Sequence, residues 1–168
     1  LQTVETQVTA TVELPEGETM AAISEYPEKW TMNQLGGTGL AISAYEQGLK
    51  FAYTGNGVGR GAYIQGEASI RLWSMPKALR FSVNPGDATV KRLSLTFTNG
   101  AGKTYPAVNV TTDEMAKNTV STFELPLESV IDINDVSNYP LTVNAIRMDL
   151  GKSDKGKAYE LLMPEFKA

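Results

Sequence analysis

The side chains of this chain that could do chemistry are 19 carboxylates, 15 lysines and arginines and seven tyrosines, because histidine and cysteine are both absent. Their absence removes Ser-His-Asp and Cys-His nucleophile systems, the usual zinc and iron–sulfur ligand sets, disulfides and imidazole acid–base chemistry. Any catalysis would run on carboxylates, Lys, Tyr or a borrowed metal. Two acids can cleave a glycosidic bond when they face each other at a fixed separation. Glu25, Glu46, Glu67, Asp87, Asp113, Glu114, Asp149 and Glu160 are available, but no spacing marks two of them as partners. The chain therefore reads as a non-enzyme, with a stand-alone glycosidase or lyase kept as an alternative.

Three stretches imitate ligand motifs and fail on context. Gly55-Asn56-Gly57-Val58-Gly59-Arg60-Gly61 looks like a dinucleotide fingerprint, which needs a following helix to hold the pyrophosphate. Ala62-Tyr63-Ile64-Gln65 reads instead as a strand, so the run is expected to be a flexible connection. Gly100-Ala101-Gly102-Lys103-Thr104 has Phe97 where a phosphate-binding loop needs its first glycine, and it reads as a hairpin turn. Asp132-Ile133-Asn134-Asp135 gathers oxygen ligands, but Val136 stands at the third ligand position of a calcium loop and the required glycine is missing. A solvated turn is expected there. No cofactor is expected; a structural Ca²⁺ would have to be gathered from distant loops, and the metal entry stays unassigned.

Binding chemistry is better represented. Sugar rings present apolar C–H faces that stack on aromatic planes, while their hydroxyls exchange hydrogen bonds with Arg, Gln, Asn and acids. Trp73 falls on the same parity as Arg71, opposite Ile70 and Leu72, so both are expected to point outward. Tyr63 and Gln65 lie opposite Ala62 and Ile64 and are expected outward too. Arg80, Arg92 and Arg147 occupy the polar parity of three further strands. The expected ligand set is Trp73, Arg71, Arg80, Arg147, Tyr63 and Gln65, which would form one open face if their strands were neighbours. Trp30 is expected to close one end of the core, with Phe51, Phe81, Phe97 and Phe123 inside it.

The elements that must carry these residues are strands. Val4, Val8, Ala10, Val12 and Leu14 alternate with polar residues up to the turn at Pro15-Glu16-Gly17, the mark of a half-buried strand. Residues 20–30 could hold a short helix limited by Pro27. Short alternating runs follow at 40–45, 49–53, 62–65, 69–73, 79–84, 91–98, 103–110, 120–125, 141–150 and 158–163, separated by Gly, Pro, Asn and Asp clusters. That punctuation predicts an all-β, two-sheet antiparallel sandwich. Leu79, Phe81 and Val83, then Leu93, Leu95 and Phe97, then Ile146, Met148 and Leu150 form the expected inward sets. The division is an N-terminal strand and turn at 1–17, continuing from an upstream domain, and a sandwich domain at 18–168.

The formal charge of -4 has no basic concentration behind it, so no nucleic-acid partner is expected. The apolar runs fall well short of the roughly 20 residues that cross a bilayer, and no membrane span is expected. Leu1 is not an initiator methionine, which raises the expectation that a leader or upstream domain has been removed.

Tyr63-Ile64-Gln65 through Ile70-Arg71-Leu72-Trp73, then Met75-Pro76-Lys77-Ala78-Leu79-Arg80-Phe81-Ser82-Val83, resembles the galactose-binding-like jelly-roll modules, in which a strand, a Pro-containing turn and an alternating strand recur. Tyr139-Pro140-Leu141, Ile146-Arg147-Met148-Asp149-Leu150 and Gly156-Lys157-Ala158-Tyr159-Glu160-Leu161-Leu162 continue the likeness, which covers roughly residues 25–166. In particular, it is similar to the accessory sandwich found beside phosphodiester glycosidase domains of extracellular bacterial proteins. Where many such modules end in a Tyr-Ile-Asp-Asp-Ile type strand, this chain has Tyr159-Glu160-Leu161-Leu162-Met163, which lacks the acids a calcium carry-over would use. The resemblance implies a jelly roll and a non-catalytic carbohydrate-binding module, extracellular, on a cell surface or periplasmic. Its expected partners are a glycan, anionic by the Arg set, and a neighbouring catalytic domain. The alternative is a docking sandwich packed on that neighbour.

Overall fold

The computed structural model describes residues 12–13, 29–72, 77–111 and 113–167. Among these residues the regular elements are eleven strands and two short 3-10 turns: β1 (Val12–Glu13), β2 (Lys29–Met32), β3 (Gly37–Tyr45), β4 (Gly48–Gly55), β5 (Tyr63–Leu72), β6 (Ala78–Asn84), β7 (Val90–Thr98), β8 (Val108–Thr111), β9 (Ser121–Pro126), β10 (Leu141–Leu150) and β11 (Ala158–Lys167). A six-stranded sheet runs β1-β5-β10-β7-β8 with β2 also on β5, and a five-stranded sheet runs β3-β4-β11-β6-β9. Pairing is antiparallel in both sheets except for the two-residue β1, which runs parallel to β5. From β4 to β7, and again from β8 to β11, each successive strand crosses to the other sheet, the connectivity of a jelly roll. Among the described residues no helix is long and apolar enough to cross a membrane.

Alternation explains the core. Leu79, Phe81 and Val83 of β6, Leu93, Leu95 and Phe97 of β7, and Ile146, Met148 and Leu150 of β10 are all buried, as their parity predicts. Phe51 of β4 is fully buried, while Phe123 of β9 is only partly so and packs on the core. Each such side chain contributes roughly 1.5–3 kcal/mol relative to exposure, so the interleaved inner faces hold the two sheets together.

Four expectations change. The runs 62–65 and 69–73 are one strand as far as Leu72, because Gly66 is not a break. A Cβ on Gly66 would stand 2.9 Å from three atoms of the Trp30 ring, so glycine is there to let an indole lie on the strand. Lys29 and Trp30, assigned to a short helix, are extended and pair with Glu67 and Gly66; residues 20–28 lie outside the described residues. The run 103–110 shrinks to β8, with Thr104 retaining one bridge to Thr98. The glycine run 55–61 is an anchored loop: Asn56 N and Gly57 N donate to Ser153 Oγ at 3.1 and 3.2 Å, and a Cβ on Gly59 would meet Lys152 N at 2.7 Å. Of the N-terminal strand, Val12 and Glu13 are described, and the rest lies outside the described residues.

Trp30 does close the core: its ring meets Phe51 edge-on at 4.7 Å and 72°. Its Nε1 is buried with no hydrogen-bond partner among the described residues. The Asn99–Gly102 turn reverses the chain as predicted, with Gly102 N donating to Asn99 O at 3.0 Å. Asn99 ties this turn to the loop before β10 by donating from Nδ2 to Asn138 Oδ1 at 3.0 Å, and Tyr105 Oη donates to the same oxygen at 2.9 Å. Asp132 and Asp135 are spent on local turns, accepting from Asn134 N at 2.9 Å and from Ser137 N at 3.0 Å.

Candidate functional site

The outer parity of the six-stranded sheet brings three of the predicted residues together. Tyr63 begins β5, and its start is fixed by Asn33: Tyr63 N donates to Asn33 Oδ1 at 3.0 Å, and Asn33 Nδ2 donates to Gly61 O at 2.5 Å. Arg147, mid-strand on β10, is opposite Gln65 on one side and Ser94 on the other. Thr31 pairs with Gln65 and Asn109 with Ser94. One row of polar side chains therefore crosses five strands, Thr31, Gln65, Arg147, Ser94 and Asn109, a span of roughly 19 Å at the usual strand spacing.

Arg147 is held from two directions. Its guanidinium carbon lies 4.0 Å from the centroid of the Tyr63 ring, and its Nε donates to Asp149 Oδ1 at 3.0 Å. The other carboxylate oxygen of Asp149 lies 3.1 Å from Arg92 Nε. Side-chain exposures of 51% for Arg92, 40% for Arg147 and 20% for Asp149 place the acid below the two cations it joins. Exposed ion pairs of this kind stabilise a fold by at most about 1 kcal/mol, so their effect is chiefly on orientation. With Nε and the ring face engaged, Arg147 keeps its Nη groups as a planar set of donors, and two cations against one carboxylate leave the cluster positive.

Arg71 is on the same face, half-buried near the other end of β5 and opposite Thr142. Trp73 lies outside the described residues. Arg80 does not share the face. It belongs to β6 in the five-stranded sheet, where its guanidinium meets Glu165 at 3.3 Å and Glu124 at 3.7 Å. Parity told which side of a strand faces outward, but both sheets have an outward side.

Asp149 and Ser94 are the members that residue-by-residue reading missed. Asp149 alternates with Met148 and Leu150, so its exposure was legible; its service to two arginines requires knowing that β10 lies between β5 and β7.

The outer face of the five-stranded sheet is different. It carries a hollow of about 420 Å³ lined by Asn84, Asp87, Asn118, Glu160 and Leu162 among others. Asp87 accepts from Asn118 Nδ2 at 2.9 Å and lies 3.5 Å from Lys157 Nζ. The hydrogen bond from Asn118, then the Lys157 charge, hold its carboxyl below the ordinary range. A glycosidase acid needs the opposite shift. Behind this wall Tyr53 and Tyr159 stack at 5.4 Å and 18°; burial, then the neighbouring Tyr159, push the Tyr53 hydroxyl well above the usual phenol range.

No protein-family model matches the chain, and no curated protein matches it. Among solved structures it is similar to a carbohydrate-binding module described in work on promiscuous specificity in the β-sandwich superfamily, at 11% identity and a TM-score of 0.47; 86% of this chain and 59% of that one are covered. It is also similar to the family 11 carbohydrate-binding module from Clostridium thermocellum in complex with a β-1,3-1,4-mixed-linked tetrasaccharide, at 14% identity and a TM-score of 0.42 over 83% of this chain and 88% of that. A third is a module specific for non-crystalline cellulose, at 15% identity and a TM-score of 0.39 over 93% and 97%. The assignment as a two-sheet jelly roll stands on the sheets of this molecule themselves.

Proposed function

We propose that this chain is a non-catalytic carbohydrate-binding module of a secreted or surface-attached bacterial protein, and that it takes an extended glycan across the outer face of the six-stranded sheet. The observation that carries the reading is Arg147, laid on the Tyr63 ring and pinned by Asp149 in the middle of a polar row that crosses five strands. Donors fixed in advance lose less freedom when a ligand arrives. Thr31, Gln65 and Asn109 supply the mixed donors and acceptors that sugar hydroxyls require, while Ser94 is buried beneath the row. The positive balance of Arg92, Arg147 and Asp149 favours a sugar bearing a carboxylate, which matches a guanidinium bidentately. Trp73, which follows the last residue of β5 in sequence, is proposed as the stacking platform, and a neighbouring catalytic domain as the enzyme that the module serves.

The test is calorimetric titration of wild type, Arg147→Ala, Tyr63→Ala and Trp73→Ala with uronic-acid and neutral oligosaccharides. Wild type should bind, and each substitution should weaken binding about tenfold or more, the loss expected for one well-placed charged or stacking contact. Full affinity in Arg147→Ala and Tyr63→Ala would remove the site. Absence of glycan binding, with co-purification of a neighbouring catalytic domain, would make the same face a docking surface.

A further inference from the structure

The five-stranded sheet carries a second hollow, of about 250 Å³, beside the one at Asp87. Asn84 and Leu162 line both, so the two form one groove across β11 and β6. Its chemistry inverts that of the opposite face. Glu46 and Glu165 line one half, and Asp87, Asn118 and Glu160 line the other, while among the described residues no arginine lines either. Three cations at its rim are engaged: Lys157 lies against Asp87 at 3.5 Å, Lys50 against Glu160 at 3.2 Å and Arg80 against Glu165 at 3.3 Å. Half-buried Leu162 supplies an apolar patch at the junction.

The backbone singles out the same place. Among the described residues two non-glycine positions have positive φ, Glu46 at 50° and Asn118 at 53°, and one lines each half of the groove. Such conformations are disfavoured for L-residues and gather at ligand sites, where the surrounding fold supports them. Gly86, at φ 60°, keeps the floor shallow: a Cβ there would stand 2.5 Å from Glu160 O.

We propose that this groove is a second glycan site, on the opposite face from the first and independent of it, for a neutral polyhydroxylated chain. Hydroxyl groups donate to the carboxylates and to the amide oxygens, and a sugar C–H face lies on Leu162. Asp87, Glu160 and Glu165 are each paired with a cation, and no lysine or arginine among the described residues lines the groove to receive an anion, so it suits a neutral chain where the Arg147 face suits an anionic one. The module would then cross-link two chains, or two segments of one chain, instead of holding a single strand.

The experiment is an amide NMR titration of the intact chain with cellohexaose, xylohexaose, mannohexaose, chitosan hexamer and hexagalacturonate. At least one neutral hexasaccharide should shift Asn84, Gly86 and Asn118. Asp87→Asn combined with Glu160→Gln should weaken that binding about tenfold or more, the loss expected for hydrogen bonds to charged acceptors. Arg147→Ala should leave it unchanged, which separates this site from the proposed first one. Three results overturn the proposal: no neutral hexasaccharide shifts the groove amides, the double substitution binds with wild-type affinity, or only the cationic chitosan hexamer is bound.

Discussion

The two outer faces of the sandwich are built from the same inner core and solve opposite electrostatic problems. On the six-stranded face, Asp149 lies between Arg92 and Arg147, and the Tyr63 ring backs one of them. On the five-stranded face the arrangement is reversed: Glu124 and Glu165 flank Arg80, and Asp87 and Glu160 each take a lysine. Alternation commits a residue only to being outside. Which charges it meets there depends on strands far away in sequence.

The largest expected effect breaks both faces together. Phe51→Ala empties a fully buried site that also receives the Trp30 ring, and it should lower stability by about 3–5 kcal/mol. Urea denaturation reads the loss, and the amide spectra of both faces should degrade in step. A spectrum in which one face survives intact would show the two sheets to be less coupled than a shared core implies.

A smaller, one-sided effect is expected from Gly66→Ala. The added methyl has no room beside the Trp30 ring, and overpacking of that kind costs about 1–3 kcal/mol. Shift changes should concentrate on β2, β5 and the Tyr63 end of the row, leaving Asn84 and Asn118 in place.

Ionic strength sharpens the contrast without a mutation. Added salt should weaken hexagalacturonate binding at Arg147, whereas neutral hexasaccharide binding in the groove should hold. Calorimetry across a salt series measures both, and equal sensitivity would erase the charge distinction between the faces.

The smallest effect is on one proton. Asn118→Ala should raise the Asp87 pKa toward the ordinary carboxylate range, because the Asn118 hydrogen bond is the largest cause of its depression. A group depressed in the folded state contributes stability above its unfolded pKa, and that contribution is lost as pH falls through the lower folded value. Side-chain NMR of Asp87 against pH follows the shift, and an unmoved midpoint would assign the depression to the lysines, Lys157 before Lys117.

Much of this architecture was legible. The inward sets of β6, β7 and β10 followed from a period of two, and Asn99 announced its turn. The gap left between the runs 62–65 and 69–73 was wrong because the glycine inside that strand is explained only by the indole that occupies the place of its missing side chain. Arg80 misled because pattern gives a side of a strand but not the sheet it joins. The groove was not legible at all: Glu46, Asn84, Asn118 and Glu160 belong to four separated segments, and no short spacing relates them.

The register irregularity in β10 determines more than local twist. Against β7, Val143 faces Phe97 and Ala145 faces Thr96, so β10 spends one extra residue there. Leu141 and Val143 point inward on odd numbers, and Ile146, Met148 and Leu150 on even ones. The strand thus carries two reading frames, and the inserted residue is the frameshift between them. Without that bulge the same sequence would run in a single odd-numbered frame and turn Arg147 and Asp149 toward the phenylalanines. The positive cluster on the outer face is therefore specified by a count of residues as much as by their identities.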